Sequence, residues 1–309
     1  MIRILKYLKH NLYIRDLVYT NQQFNNKHTH DNVPTTLLQI LKRLGELRYK
    51  KIVCLVGAGL STASGIPDFR TPGSGIYDNL QKYNLPYPEA IFELNYFLQN
   101  PTPFYQFCKD IYPGKHMPCL AHKFLKLLED KNILLRVYTQ NIDGLELLAG
   151  LSPERVIEAH GGFSSASCSY CGQAHDIEIV KGKILSDQFP IVCEQKLCQG
   201  YVKPDIVMFG ENLPSRFFTL QPEDFSECDL LLVAGTSLIV QPFGGLVHSP
   251  AEHVPRVLIN RDLVYPFSYM KRDRDNDYIL KADIIESIRR LMLAADWRQE
   301  LLELSNDKS

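Results

Sequence analysis

"VGAGLSTASGIPDFR", residues 56–70, closes an apolar run that begins at Val53. Gly57 and Gly59 form the G-x-G opening of a dinucleotide-binding turn, where glycines let backbone N–H groups come close to a pyrophosphate. The third glycine of that fingerprint belongs at position 62, but Thr62 stands there and the next glycine is Gly65. Ile66-Pro67-Asp68-Phe69-Arg70 then occupies the place of the expected helix, so the segment past Ser61 reads as an irregular loop. Asp68 and Arg70 can hold polar groups of a ligand while the Phe69 ring covers its face.

Outward from this segment the chain alternates between strand-like and helix-like stretches. Leu37 to Arg48 carries leucines at helical spacing (Leu37, Leu38, Leu41, Leu44), and 51–57 is a short apolar strand. Residues 134–141, 155–161, 205–210, 229–237 and 255–260 read as further strands. Most of these runs are apolar throughout, the pattern of strands covered on both faces. Helical patterns lie between several of them, including 121–130 and 284–295. The fold expected is α/β, a Rossmann-like doubly wound parallel sheet. In such sheets ligands bind beyond the carboxyl ends of the strands. Polar and small residues gather at those ends here: Gly57-Ala58-Gly59, Gln140-Asn141-Ile142-Asp143, His160-Gly161, Gly235-Thr236-Ser237 and Asn260-Arg261-Asp262.

Two stretches break the alternation and read as insertions that build a smaller lobe. Residues 72–118 are rich in proline and aromatics, the signature of loop plus short helices, and 166–203 carry two cysteine pairs. The sheet domain then comprises 34–71, 119–165 and 204–300, with 301–309 a tail. Cys168-x2-Cys171 and Cys193-x4-Cys198 stand 21 residues apart. Two close thiolate pairs suit tetrahedral zinc, and four cysteines leave no open position, so the site reads as structural. His175 is an alternative ligand. A nucleic-acid zinc ribbon would share the spacing, but Lys181, Lys183 and Lys196 are too sparse for a basic face. Cys54, Cys108, Cys119 and Cys228 read as buried small side chains. Residues 264–281, with Lys271-Arg272-Asp273-Arg274-Asp275, read as an exposed loop.

The whole chain has 309 residues, 45% hydrophobic and 22% charged, and a net charge of −1, which speaks against a broad nucleic-acid footprint. No apolar run approaches the roughly 20 residues that span a bilayer. Eight cysteines are too few for a disulfide scaffold in this length and suit a reducing compartment. Residues 1–33 are a basic extension: the first 30 hold Arg3, Lys6, Lys9, Arg15 and Lys27 against the single acid Asp16. Leu5, Leu8 and Leu12 share a helical face there. This pattern resembles a mitochondrial transit peptide, although it contains no serine, and the alternative is a cytosolic extension.

"GAGLSTASGIPDFR", "YTQNIDGLE", "EAHG", "KPDIVMFGE", "GTSLIVQPF" and "LINRD" occur in the order and approximate spacing of the sirtuins, which are NAD-dependent protein deacylases. The resemblance runs from about residue 37 to Trp297, and "GSGIYDNLQKYNLPYPEAIFEL" (73–94) is similar to the branch of cytosolic and mitochondrial deacetylases. It implies a catalytic domain over 34–300, NAD as co-substrate, one structural zinc held by Cys168, Cys171, Cys193 and Cys198, and acetyl-lysine proteins as partners. Residue by residue, it implies that Gly57, Ala58, Gly59 and Ser61 meet the phosphates, and that Asp68, Phe69 and Arg70 form the flexible cofactor loop. Gln140, Asn141, Ile142 and Asp143 would line the nicotinamide and ribose pocket. Gly235, Thr236 and Ser237 would lie near ribose and phosphates, and Asn260 and Arg261 near the adenosine ribose. Val207, Phe209 and Gly210 match the substrate-binding strand, and His160 matches the catalytic base.

The resemblance also implies the reaction. The acetyl-lysine carbonyl oxygen attacks the ribose carbon that bears nicotinamide, with Asn141 and Asp143 holding the leaving amide. His160 then takes a ribose hydroxyl proton, a task that suits imidazole with its ordinary pKa of about 6.5. Gly162 stands where relatives usually place Thr or Ser, a change expected to matter little. A mono-ADP-ribosyltransferase and a deacylase for longer or acidic acyl groups are alternatives, although "GIYDNLQKYNLP" has no arginine to meet an acidic group. A catalytically dead peptide-binding module is opposed by His160, Asn141 and Asp143. A hydride-transferring dehydrogenase is opposed by the missing third glycine and by the Pro67-Asp68-Phe69-Arg70 loop, since it must leave the nicotinamide open.

Overall fold

The computed structural model describes residues 36–68, 75, 80, 82–268 and 274–306. The basic stretch 1–33 and the loop residues Phe69 and Arg70 lie outside the described residues. The strands are β1 (Ile52–Val56), β2 (Leu134–Thr139), β3 (Val156–Glu158), β4 (Gly161–Cys168), β5 (Ala174–His175), β6 (Val202–Ile206), β7 (Leu230–Ala234), β8 (Arg256–Asn260) and β9 (Asp277–Lys281). Six of them form one sheet in the order β3-β2-β1-β7-β8-β9, and every neighbouring pair runs parallel.

The apolar runs of the sequence have a direct cause in this sheet. In β1, Ile52, Cys54 and Val56 face one core while Val53 and Leu55 face the other, and β7 divides in the same way. The first core packs under helices Leu37–Gly45, Leu120–Asp130 and Ile284–Ala294. The second packs under Phe217 and Phe225 of helix Ser215–Glu227, with Phe243 and Phe267. Each fully buried Leu, Ile or Val side chain contributes roughly 1.5–3 kcal/mol, so a strand covered on both faces is apolar wherever a side chain has no buried polar partner.

Two readings of the sequence are corrected here. The run 205–210 is not a strand of the parallel sheet. The strand is β6, and it pairs antiparallel with β4 in a three-stranded sheet of order β5-β4-β6. Past Ile206 the chain turns, because the Glu211 carboxylate accepts from the Met208 N–H (2.8 Å) and from buried Lys203 Nζ (3.0 Å). An apolar run reports burial, not which sheet it joins. Likewise, 264–281 is not all exposed loop, since β9 is an edge strand of the large sheet. Asp277 enters it fully buried because Arg256 on β8 grips it with two hydrogen bonds of 2.7 Å. That cross-strand pair gave no apolar signal. The end of the chain is helical over Arg298–Asn306.

The three-stranded sheet has its own core, in which Phe97, Tyr105, Val202 and Met208 meet Val180 and Ile184 of helix Ile177–Leu185. As expected, the proline- and aromatic-rich stretch supplies short helices, among them Leu94–Gln99 and Thr102–Ile111. Among the described residues no helix is long and apolar enough to cross a membrane.

Candidate active site and tetracysteine centre

The strand order reverses its direction of growth between β1 and β7, which makes that junction the topological switch point of the sheet. A cleft of about 680 Å³ opens there. It falls within the roughly 300–1,000 Å³ typical of small-molecule sites. The turns after β1 and β7 pack backbone against backbone at its floor: Gly59 N–H donates to Gly235 O at 2.8 Å. A Cβ on Gly59 would sit 2.8 Å from Gly235 Cα, and one on Gly235 (φ +63°) would sit 2.3 Å from Leu60 N. Only glycine permits that approach. Two short 3₁₀ turns, Ala58–Leu60 and Thr62–Ser64, replace the helix of a dinucleotide fingerprint.

Ala58, Gly59, Asp68, Gln140, Asn141, Ile142, His160, Thr236, Ser237, Asn260 and Arg261 all line this cleft, with Val207, Phe209 and Gly210 on its outer wall. The sequence thus named one continuous surface drawn from five strand ends. Gly57, Ser61 and Asp143 do not line it and instead form the layer behind Asn141. Arg261 Nη2 lies 3.8 Å from Asp68 Oδ2, so the loop after β1 meets the turn after β8 across the cleft rim. The backbone of Phe209 is engaged by the segment leading into helix Leu94–Gln99: its N–H donates to Phe92 O (2.7 Å) and its C=O accepts from Leu94 N–H (3.1 Å).

His160 follows β3 directly. Its Nδ1 lies 3.2 Å from Gln140 O. A carbonyl oxygen only accepts, so Nδ1 carries the proton and Nε2 keeps a lone pair. Burial lowers the imidazole pKa below its ordinary value, with the Gln140 contact opposing it weakly. The ring is therefore a neutral base at physiological pH. Gln140 is itself fixed, its Oε1 accepting from Thr236 Oγ1 at 2.6 Å.

Behind the rim lies a buried acidic layer of which the sequence reading named only Asp143. Glu146 is fully buried and accepts from Thr139 Oγ1 at 2.6 Å. Burial, and next the neighbouring Asp143, push its carboxyl up to about 8. Burial also raises Asp143, against hydrogen bonds from Ser61 and the Leu145 N–H, and raises Glu158. A Cβ on Gly162 would lie 3.1 Å from Glu158 Oε1, so the glycine at this position leaves the carboxylate its room.

The four cysteines converge in the smaller sheet, with all four Sγ atoms within 4.8 Å of one another. Cys168–Cys198 and Cys171–Cys193 sulfurs are each 3.7 Å apart. Tetrahedral zinc with bonds of about 2.3 Å needs sulfurs roughly 3.8 Å apart, so the donor set fits that ion. Backbone N–H groups of Tyr170, Gln195 and Gly200 point at the sulfurs of Cys168, Cys193 and Cys198 at 3.4, 3.4 and 3.5 Å. The x4 knuckle closes as well as the x2 one. His175 is not in the quartet; its Nε2 rests 3.5 Å from Cys193 Sγ. Of the other cysteines, Cys54, Cys108 and Cys228 are buried, whereas Cys119 is half-exposed at a helix start.

A parallel sheet with a glycine-floored cleft at its switch point, a basic imidazole on the rim and a separate tetracysteine cage defines a nucleotide-dependent enzyme with a structural metal centre. Residues 57–242 match the model of the Sir2 family. The chain is 50% identical over 254 residues to the NAD-dependent protein deacetylase sirtuin-3 of Mus musculus, covering 82% of this chain and 74% of the relative. It is also 50% identical to the NAD-dependent protein deacetylase sirtuin-2 of Danio rerio, over 74% of this chain and 60% of the relative. With NAD-dependent protein deacetylase hst2 of Schizosaccharomyces pombe the identity is 44%, over 87% and 79%. The chain belongs to the Sir2 family.

Proposed function

We propose that this protein is an NAD-dependent protein lysine deacetylase, a transferase that moves the acetyl group of acetyl-lysine onto ADP-ribose and releases nicotinamide. The observation that carries it is the free Nε2 of His160 on the wall of the switch-point cleft, within a rim shared with Asn141 and Gln140. Relatives that bear the deacetylase name over most of this chain support it.

In this reading NAD supplies the glycosidic bond that is cut. The glycine floor, with Ala58 and Gly59 on the cleft wall, receives its phosphates; Thr236 and Ser237 lie beside the ribose, and Asn260 and Arg261 beside the adenosine. Asn141 orients the nicotinamide amide, backed by Asp143 and Ser61. The family resemblance assigns Phe69 and Arg70 to the cofactor loop; both lie outside the described residues. His160 Nε2 accepts the proton of a ribose hydroxyl, and its Nδ1–H bond to Gln140 keeps the lone pair aimed. Val207, Phe209 and Gly210 form the wall that meets the peptide. Cys168, Cys171, Cys193 and Cys198 would hold zinc, which would serve to tie together the loops of the smaller sheet. The division into a sheet domain and a smaller lobe built from 72–118 and 166–203 belongs to the same proposal. So does the extension 1–33, whose removal separates a mitochondrial from a cytoplasmic address by imaging.

A panel of acyl-lysine peptides with NAD tests the reading. Acetyl-lysine is expected to be the best substrate, with succinyl-lysine turned over far more slowly. A preference for long or acidic acyl groups would select the deacylase alternative. Label passing from NAD to protein, with the peptide intact, would select ADP-ribosyl transfer.

A further inference from the structure

Ser61 Oγ stands at a junction of three side chains: Asp143 Oδ2 at 2.7 Å, Asn141 Nδ2 at 3.2 Å and His122 Nε2 at 3.3 Å. His122 lies on helix Leu120–Asp130, is completely buried, and does not line the cleft. The polarity of the junction can be derived. The Cys119 backbone N–H lies 3.2 Å from His122 Nδ1 and can only donate. Cys119 Sγ, also 3.2 Å from Nδ1, is a donor to it or to Leu60 O. Nδ1 is therefore the acceptor, the ring proton sits on Nε2, and Nε2–H donates to Ser61 Oγ.

The Asn141 amide is oriented by the same logic. Its Nδ2 lies 3.2 Å from Gly57 O, an obligate acceptor, and 3.2 Å from Ser61 Oγ. Both amide hydrogens therefore point into the protein, and Oδ1 is the polar atom Asn141 has left to offer a ligand. Ser61 now accepts from His122 and from Asn141, so its own hydrogen goes to Asp143. All its hydrogen-bonding capacity is used.

We propose that His122 is a positioning residue: through Ser61 it fixes the orientation of the Asn141 amide and the anchoring of Asp143, and so shapes the nicotinamide end of the cleft. It rests on the deacetylase reading above and goes beyond it by assigning a role to a residue that touches neither substrate. Burial keeps the imidazole neutral by lowering its pKa to about 4, so the relay keeps one polarity across physiological pH.

The test uses the full chain loaded with zinc and compares His122→Leu with His122→Gln, whose amide N–H can still donate to Ser61. His122→Leu is expected to raise KM for NAD and to weaken inhibition by free nicotinamide, each by about tenfold, the scale of one buried hydrogen bond lost. KM for the acetyl-lysine peptide should stay within about twofold. His122→Gln should recover most of the loss. A merely structural role would instead move peptide KM and thermal midpoint together with the NAD constants. If the Leu variant does not fold, Ser61→Ala removes the junction hydroxyl with a smaller change and should give the same selective loss. The proposal is overturned if the Leu and Gln variants behave alike, or if Ser61→Ala leaves KM for NAD and nicotinamide inhibition unchanged. Wild-type protein that releases no nicotinamide from NAD would overturn the underlying deacetylase reading instead, so the two failures are distinguishable.

Discussion

At the carboxyl ends of the strands of the six-stranded sheet, Gln140, Asn141 and His160 are held by Thr236, Ser61 and backbone carbonyls, over strands buried on both faces. In the smaller sheet and its loops, Cys168 at the end of β4 and Cys171, Cys193 and Cys198 on loops are held by one another and by a few N–H groups, where Tyr170 is 81% and Leu197 97% exposed. The first arrangement is preorganised by a hydrophobic core and needs no ion to keep its shape. The second brings four thiols together at the rim of the smaller core, with Cys168 and Cys193 buried and Cys171 exposed, so the order of the exposed loops there depends on the ion the thiols would bind. One chain therefore keeps its reacting groups on the part of the fold that cannot relax, and leaves the metal to secure exposed loops at the rim of the smaller core.

The largest effect expected from this contrast is metal removal. Structural zinc in small domains is worth about 10–16 kcal/mol. Chelation should therefore strip hydrogen-exchange protection from β4, β5 and β6 while β1, β2, β7 and β8 retain theirs. Equal loss in both sheets would break the comparison. The next effect lies in the cleft. His160→Ala should lower kcat/KM by about 10²–10⁴, the range of a general base, with the thermal midpoint near wild type. A large drop in melting temperature would mean that the imidazole is structural.

Arg256→Met tests the outer edge of the large sheet. It leaves Asp277 buried and unpaired, which should cost about 3–5 kcal/mol in denaturant unfolding, and adding Asp277→Leu should recover most of it. The smallest effect concerns the acidic layer. Glu146 has a folded pKa of about 8 against an ordinary 4.5, so its neutral form favours folding. That contribution is complete below pH 4.5 and is lost as pH rises through about 8. Glu146→Gln should therefore match wild type in acid and exceed it in stability above pH 8, by at most a few kcal/mol. A gap that does not grow across this window would place the carboxylate in contact with water.

Much of the site was legible because strand ends are marked locally. An apolar run followed by Gly-Ala-Gly, Gln-Asn, His-Gly or Gly-Thr-Ser states both the strand and its functional end, and the four cysteines announce themselves by spacing. What stayed hidden depends on partners distant in sequence. Asp277 looks like a loop residue until Arg256, 21 positions earlier, is placed beside it. β6 looks like another parallel strand until β4 takes it up. His122 sits among Ala121, Phe124, Leu125 and Leu128 on a helix face and looks like core, because nothing local reveals that Ser61 lies above it. Gly57, Ser61 and Asp143 were named as cofactor-contacting residues and lie instead behind the cleft wall, because a sequence cannot separate the residues that line a cleft from those that support its wall.

The central claim is that the imidazole-bearing cleft couples cleavage of NAD to deacylation of lysine. It is tested most directly by following NAD, nicotinamide and free lysine together during turnover of an acetyl-lysine peptide. The account predicts one nicotinamide and one lysine for each NAD consumed. NAD cleaved while the peptide stays acetylated, or lysine released without nicotinamide, would contradict it.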